Sequence, residues 1–457
     1  MENELTMDDM IQTILVLLEA KKYSRARDEI LKNNTVDIAE ILEEIIEELG
    51  IEKAVIAFRT LPKDVSVEVF AYLPIDDQIE IISGITDREI QYIIDELAFD
   101  DMIDVLEELP ANVVDKILAK TTKEERKLIN TFLNYPETSA GSLMTPDYIS
   151  LRKDMTVVEA LAHIKKEGMD RETVYTCYVK DAGRKLLGIV SLRNLVVSDG
   201  DIIIESLMHE DMIYVNVLDD QEDVSELFKK YGFLAIPVVD NEKRLVGIIT
   251  VDDILDVIDE ETTEDFQKMA GVAVSTEEYL DMGVWKHVKN RLPWLFFLMC
   301  SLMVTGFIIT KFENVLSEVI VLVAYLPLLM GTGGNSGAQS ATLIIRGLAV
   351  GDVEMRDARK VLWKEVRISF LVGITLSVLN FTKILFIDGE GPLIALTVCG
   401  AMLVIIMVAK IIGGLLPIGA KKVGIDPALM ASPMIASMTD MISVVAYFLL
   451  ASLILGI

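Results

Sequence analysis

The sequence predicts a multidomain protein: an α-helical superhelical N-domain, an α/β region built as a tandem repeat, and an all-α domain of five membrane spans. Three observations predict it. Charge and apolarity segregate, since residues 1–290 hold 62 Asp and Glu against 30 Lys and Arg, while residues 291–457 hold 10 against 12 and carry the long apolar runs. A pattern recurs in mid-chain: Leu143–Met144 returns as Leu207–Met208, and LLGIVSLRNLV from Leu186 returns as LVGIITVDDIL from Leu245. Ahead of the repeat, short stretches with helix-period apolar positions are separated by Leu-Pro pairs.

Residues 1–136 read as the helical N-domain. DIAEILEEIIEELG and DDMIDVLEELP bury one face and leave an acidic one outside. Pro62, Pro74 and Pro110 mark places where one helix stops and the next starts. Stacked helices of this length form a small superhelix. The start, MENELTMDDM, lacks a basic segment followed by an apolar one and does not read as a signal peptide. Cys177, Cys300 and Cys399 show no metal spacing and suit a reducing cytoplasm. A net charge of −30 argues against unaided nucleic-acid binding. It could instead concentrate cations, or simply keep the soluble part in solution.

Residues 137–200 and 201–261 form the repeat. Each copy reads strand–helix–strand–turn–strand–helix, with YTCYV and AIPVVD as β-branched strands. This resembles a pair of cystathionine-β-synthase-type (CBS) domains, which implies an adenosyl ligand between them. The ribose motif Ser/Thr-x-x-Asp is kept as Thr250 and Asp253, whereas the first copy has Ser191 and Asn194. Arg193 is a candidate phosphate contact and Phe233 a candidate base contact.

An acid-rich run follows, and Asp253, Asp256, Glu260 and Glu264 are spaced to share one helix face. Like charges so aligned destabilise a helix, and bound divalent cations would offset them, as would plain solvation. A helical connector at about 262–290 leads into the membrane domain, 291–457.

Apolar runs long enough to span lie at about 292–311, 317–345, 365–387, 391–418 and 428–455. Arg346, Arg356, Arg359, Lys360, Lys364 and Arg367, then Lys421 and Lys422, fall on alternate connections. The positive side is cytoplasmic, which puts the acidic part inside the cell and the C-terminus outside. Asp440 sits within the last run and reads as the lone charge inside the membrane. Such a group faces a water-filled path or an ion by default. The second run carries PLLMGTGGNSGAQSATLIIR, whose glycines permit a helix break or close helix contact. Gly334, Asn335 and Gln339 are its candidate pore residues, with polar oxygens turned inward. An oxygen-only lining suits a hard cation such as Mg2+. Five spans make a thin wall, so a homodimer with two copies of Asp440 about one axis is expected.

The whole chain resembles the MgtE family of magnesium channels. The resemblance rests on SAGSLMTPDYI from Ser139, GTGGNSGAQSATLIIR from Gly331 and GIDPALMASPMIASMTD from Gly424, and it covers nearly all 457 residues. It implies a homodimeric, multi-pass plasma-membrane channel selective for Mg2+, with Asp440 as pore acid. It also implies gating by cytosolic Mg2+ at Glu68, Asp100, Asp104, Asp220, Asp253, Asp256, Glu261, Glu264, Asp265 and Asp426. The connector would be the family's plug helix. ATP at the CBS pair would raise the affinity of those sites. The sequence departs from the family at Ala338, where an asparagine is usual, and at Ser432 and Asn194. No catalytic constellation or phosphate-binding loop is visible, so an enzyme is not expected. The rival readings are an ion-coupled secondary transporter of divalent cations with a broken second span, and a membrane-anchored sensor that transports nothing.

Overall fold

The computed structural model describes residues 7–275, 279–280, 282–430 and 432–456. It comprises two compact units, residues 1–258 and 259–457.

In the first unit, short helices follow one another from Met7 to Phe132. Pro62, Pro74 and Pro110 each stand at the N-cap of the next helix, Lys63–Ala71, Ile75–Gly84 and Ala111–Leu118, with φ between −53 and −58°. Proline costs nothing there, because a helix start has no intrahelical partner for its N–H. Thr86 and Thr122 close capping boxes with Glu89 and Glu125. The apolar faces bury Ile41, Leu42, Ile45, Phe70 and Ile81 completely. The same core continues through Val224, Phe228 and Ile254 of the second repeat.

Each repeat has three strands. The first sheet is β1 (Tyr148–Leu151), β2 (Thr173–Lys180) and β3 (Leu186–Ser191); the second is β4 (Val215–Asn216), β5 (Ala235–Val239) and β6 (Leu245–Thr250). In both, the first pair is parallel and the second antiparallel. The Leu-Met segments explain the repeat's signature. Thr145, after Met144, pairs with Ile248 of the second sheet, and His209, after Met208, pairs with Ile189 of the first. Each segment thus lies on the other copy. A side chain at Gly188 would come 2.9 Å from the His209 carbonyl, and one at Gly247 would come 2.9 Å from that of Thr145. The glycine in LLGIV and in LVGII is there to admit the partner's backbone.

The connecting helix differs from the sequence expectation. It runs Val251–Ala270, beginning as the last helix of the second repeat. Gly271 at φ +69° ends it, and the next described helix starts at Val284. The helix therefore does not extend to residue 290.

Among the described residues of the second unit, five helical segments are long and apolar enough to cross a membrane: Val284–Lys311, Ile320–Ala349, Met355–Asp388, Pro392–Lys422 and Pro427–Leu455. The first starts before its apolar run, taking in Lys286, Lys289 and Arg291. The second is one unbroken α-helix from Leu326 to Ala349, entered through a 3-10 turn at Ile320–Tyr325. Its glycines serve contact, not a break. A side chain at Gly413 of the fourth span would lie 2.2 Å from the Gly337 carbonyl, and one at Gly337 would lie 2.6 Å from Ile435 of the fifth. Close backbone approach of this kind replaces the hydrophobic drive that lipid cannot supply. Leu322, Ile406, Val444, Tyr447 and Phe448 form the buried core between the spans.

Candidate functional site

Asp440 lies in the helix Ser432–Leu455, partly buried, one residue after the buried Thr439. Thr439 Oγ1 donates to its own helix at the Ile435 and Ala436 carbonyls. Glycines of the second span close onto this stretch: a Cβ at Gly334 would lie 3.4 Å from that of Ala436, and one at Gly333 would lie 2.7 Å from Ser443 Oγ. Asn335 and Gln339 remain on the exposed edge of the second span. They border a groove of about 810 Å³ shared with Ser340, Thr342, Glu365 and Lys410.

That groove corrects two expectations. Asp440 is not the lone charge in the membrane domain, since Glu365 is 7% and Lys410 5% exposed within their spans. They compensate one another through a hydroxyl: Ser340 Oγ donates to Glu365 Oε2 at 2.7 Å and sits 3.4 Å from Lys410 Nζ. Lys410 also reaches the Ser336 carbonyl and Gln339 Oε1, each at 3.5 Å. An ammonium only donates, so it must face the amide oxygen of Gln339. That oxygen points at a cation already present, not at a passing one.

In the first unit, acids from three places crowd together. Asp100, on the helix Phe99–Glu108, is 9% exposed, and its Oδ1 is buried without a hydrogen-bond partner. Burial, then the charges of Asp253, Asp101 and Glu172, push it up to about 8. Burial and the neighbours Asp253 and Asp252 push Asp101 to about 6. Burial and Asp253, then Asp252, Asp101 and Asp147, push Glu172 to about 7. Burial also raises Asp253 to about 6, although Thr250 works against the rise. Asp101 and Glu172 escaped the sequence reading. Asp104 and Glu68 are exposed on their helices, and Asp256 is exposed one turn beyond Asp253. Asp220 caps the helix Gln221–Tyr231, its Oδ1 accepting from the Glu222 N–H at 2.9 Å.

This chemistry fits a divalent cation with oxygen ligands. Hard carboxylates held against their mutual repulsion, one oxygen orphaned in the interior, are relieved by positive charge. Among the described residues no three acidic, His or Cys side chains converge into a ready metal cage. Mg2+ does not require one, because it keeps much of its water and binds through one or two carboxylates.

In the second unit, Glu261, Glu264 and Asp265 lie on the last turns of the connecting helix and Asp426 in the loop before the fifth span. Burial and then the nearby Asp426 raise the Asp265 pKa. Lys268 joins Glu264 to Asp426, its Nζ 2.7 Å from Asp426 Oδ2. Burial opposes its charge, but the bonds to Asp426 and Glu264 outweigh that and raise its pKa.

Of the nucleotide candidates, Thr250 and Asp253 occupy in the second repeat the places of Ser191 and Asn194 in the first. Thr250 Oγ1 donates to Asp253 Oδ2 at 2.6 Å at the start of the connecting helix. Ser191 Oγ accepts from the Asn194 N–H at 3.2 Å, so the hydroxyl caps the first copy's helix without an acid. Arg193 is exposed in that helix's first turn. Phe233 stacks on Tyr231, with ring centres 5.3 Å apart.

Comparison with known proteins is consistent along the chain. The model of the MgtE divalent cation transporter family matches residues 326–450. That of the MgtE intracellular N domain matches 33–138, and that of the CBS domain matches 140–201 and 204–260. Magnesium transporter MgtE of Thermus thermophilus is 37% identical over 452 residues, covering 96% of this chain and 99% of its own. The protein of the same name from Bacillus subtilis is 29% identical over 465 residues, covering 99% of each. A crystal structure of the soluble part of a magnesium transporter is 30% identical with a TM-score of 0.50, and covers 56% of this chain and 99% of its own.

Proposed function

The chain belongs to the MgtE family of divalent cation transporters, and on that premise we propose that it is a homodimeric Mg2+-selective channel of the plasma membrane, closed by cytosolic Mg2+. The carboxylates at Asp100, Asp101, Glu172 and Asp253 carry the gating reading. When cytosolic Mg2+ is high, ions bridge these acids and those of the connecting helix and hold the soluble part compact. When it falls, the bare carboxylates repel one another and the gate opens. Glu68, Asp104, Asp220, Asp256, Glu261, Glu264, Asp265 and Asp426 take part with them.

Asp440 is the pore acid, which holds a hydrated ion near the glycine-packed stretch of the second span. Gly334 packs against Ala436 of the fifth span, and Asn335 next to it lies on the exposed edge of the second. Gln339 shares that edge, but Lys410 engages its amide oxygen, the atom that could accept from the outward-pointing hydrogens of a hydrated cation. Inward flux is driven by the membrane potential, about 2.3 kcal/mol per charge per 100 mV and twice that for a divalent ion. ATP binds at the CBS pair through Thr250, Asp253, Arg193 and Phe233. The C-terminus lies outside the cell. The domain limits at 136, 200, 261 and 290 belong to the same reading. The alternative is an ion-coupled secondary transporter of divalent cations, which would have to work without a break in the second span, since Leu326–Ala349 is one helix.

The test is Mg2+ flux into liposomes holding the purified protein, with Mg2+ titrated on the soluble-domain side. Flux that falls as that Mg2+ rises, and is absent in Asp440→Ala, is the expected result. Flux indifferent to Mg2+ and intact in the variant overturns the reading, and dependence on a proton or sodium gradient favours the carrier.

A further inference from the structure

Lys268 joins the connecting helix to the loop before the fifth span. Its Nζ is bonded to Glu264 one turn earlier and, at 2.7 Å, to Asp426 Oδ2. The other oxygen of Asp426 accepts from the Ala428 N–H at 2.8 Å. Both oxygens of that carboxylate are therefore engaged. Asp265 interacts electrostatically with Asp426, Lys268, Glu264 and Arg346. The three side chains of the bridge are 25–33% exposed, so dissolved ions reach them. Packing holds the helix end around the lysine: Met269 rests on Ala341, Ile345 and Ile435 of the second and fifth spans. Gly271 lies so near Trp294 that a Cβ there would be 2.0 Å from the indole nitrogen.

We propose that Lys268 is a built-in competitor for the regulatory cation: its ammonium occupies Glu264 and Asp426 until Mg2+ displaces it, and so sets the Mg2+ concentration at which the connecting helix locks. The inference rests on the feedback reading above. A single positive charge on a flexible four-carbon stem is well suited to the task. It neutralises the two acids enough to keep the helix near its seat, and it can swing to water when a divalent ion arrives. The apparent Mg2+ affinity is then the intrinsic one reduced by the fraction of sites the lysine leaves open. Lys268 is thus a positioning residue that acts through its two carboxylates and never touches the transported ion.

The test measures two Mg2+ midpoints on the full-length protein: the one that halves flux in liposomes, and the one at which amides of residues 259–270 gain protection from hydrogen exchange. Lys268→Gln lowers both midpoints, by roughly three- to tenfold, as expected for loss of one partly exposed ion-paired competitor. Lys268→Arg, which keeps the charge, leaves them near wild type. Lys421→Gln, which removes an exposed charge elsewhere on the same side, also leaves them unchanged. Lys268→Met retains the stem's packing and serves if Lys268→Gln fails to fold. Midpoints that stay put or rise in the Gln and Met variants overturn the proposal, as does an equal shift in Lys268→Arg or Lys421→Gln. A wild-type flux that no cytosolic Mg2+ inhibits overturns the feedback reading itself, and the competitor with it.

Discussion

Ser340 Oγ donates its proton to Glu365 Oε2 at 2.7 Å, which leaves the oxygen's lone pairs to Lys410. One hydroxyl of the second span thus bridges two opposite charges buried in the third and fourth. Removing either charge strands the other in the interior, at a cost of about 3–5 kcal/mol. Glu365→Gln and Lys410→Met should each destabilise the membrane domain by about that amount, and the double variant should recover most of it. Thermal unfolding in detergent measures this. A double variant no better than the worse single one would mean that the charges do not compensate one another.

The acid cluster of the first unit predicts a pH dependence with a definite sign. Unfolded carboxylates titrate near 4. Folded Asp253 and Asp101 titrate near 6, Glu172 near 7 and Asp100 near 8. The folded state holds the extra protons, so its stability is highest below pH 4–5 as far as these groups decide, and it falls as pH rises through 8. In EDTA, hydrogen-exchange protection of the helix Phe99–Glu108, corrected for intrinsic rates, should drop by on the order of a few kcal/mol between pH 5.5 and 8.5. Adding Mg2+ should flatten the slope, and so should Asp100→Asn.

Asp253 belongs to both proposed sites. It accepts from Thr250 Oγ1 and is the charge that acts most strongly on Asp100. Asp253→Asn should therefore weaken adenine-nucleotide binding and also raise the Mg2+ needed to protect the first unit. Asp100→Asn should do only the second. Nucleotide titrations and hydrogen exchange on the two variants separate the roles, and equal effects on nucleotide binding would refute the division.

The glycines divide sharply by what surrounds them. Gly413→Ala would drive a methyl against the Gly337 carbonyl at 2.2 Å, whereas Gly331→Ala meets nothing within 4 Å. The first should cost several kcal/mol or abolish folding, and the second should change stability by well under 1 kcal/mol. Yield and thermal stability of the two purified variants decide it.

Much of the fold was legible because its causes are local. Pro62, Pro74 and Pro110 mark helix starts, and Gly188 and Gly247 recur because each copy of the repeat needs the same clearance. The unbroken second span was not legible, because glycines that permit a break and glycines that permit contact look alike in sequence. Asp101 and Glu172 were lost among many acids, since their encounter depends on how the helices pack around the first repeat. Glu365 looked like the polar margin of a span, flanked as it is by Lys364 and Arg367. Lys410 carried a readable signal, a lysine midway along an apolar run, and only the packing supplies its partner.

The crossing of the Leu-Met segments makes the two repeats mutually dependent. Thr145 completes the second sheet and His209 the first, so each copy owns a strand-like edge that only the other can satisfy. A chain cut between the copies would yield two halves, each with a bare seam and a missing border, and neither should persist alone.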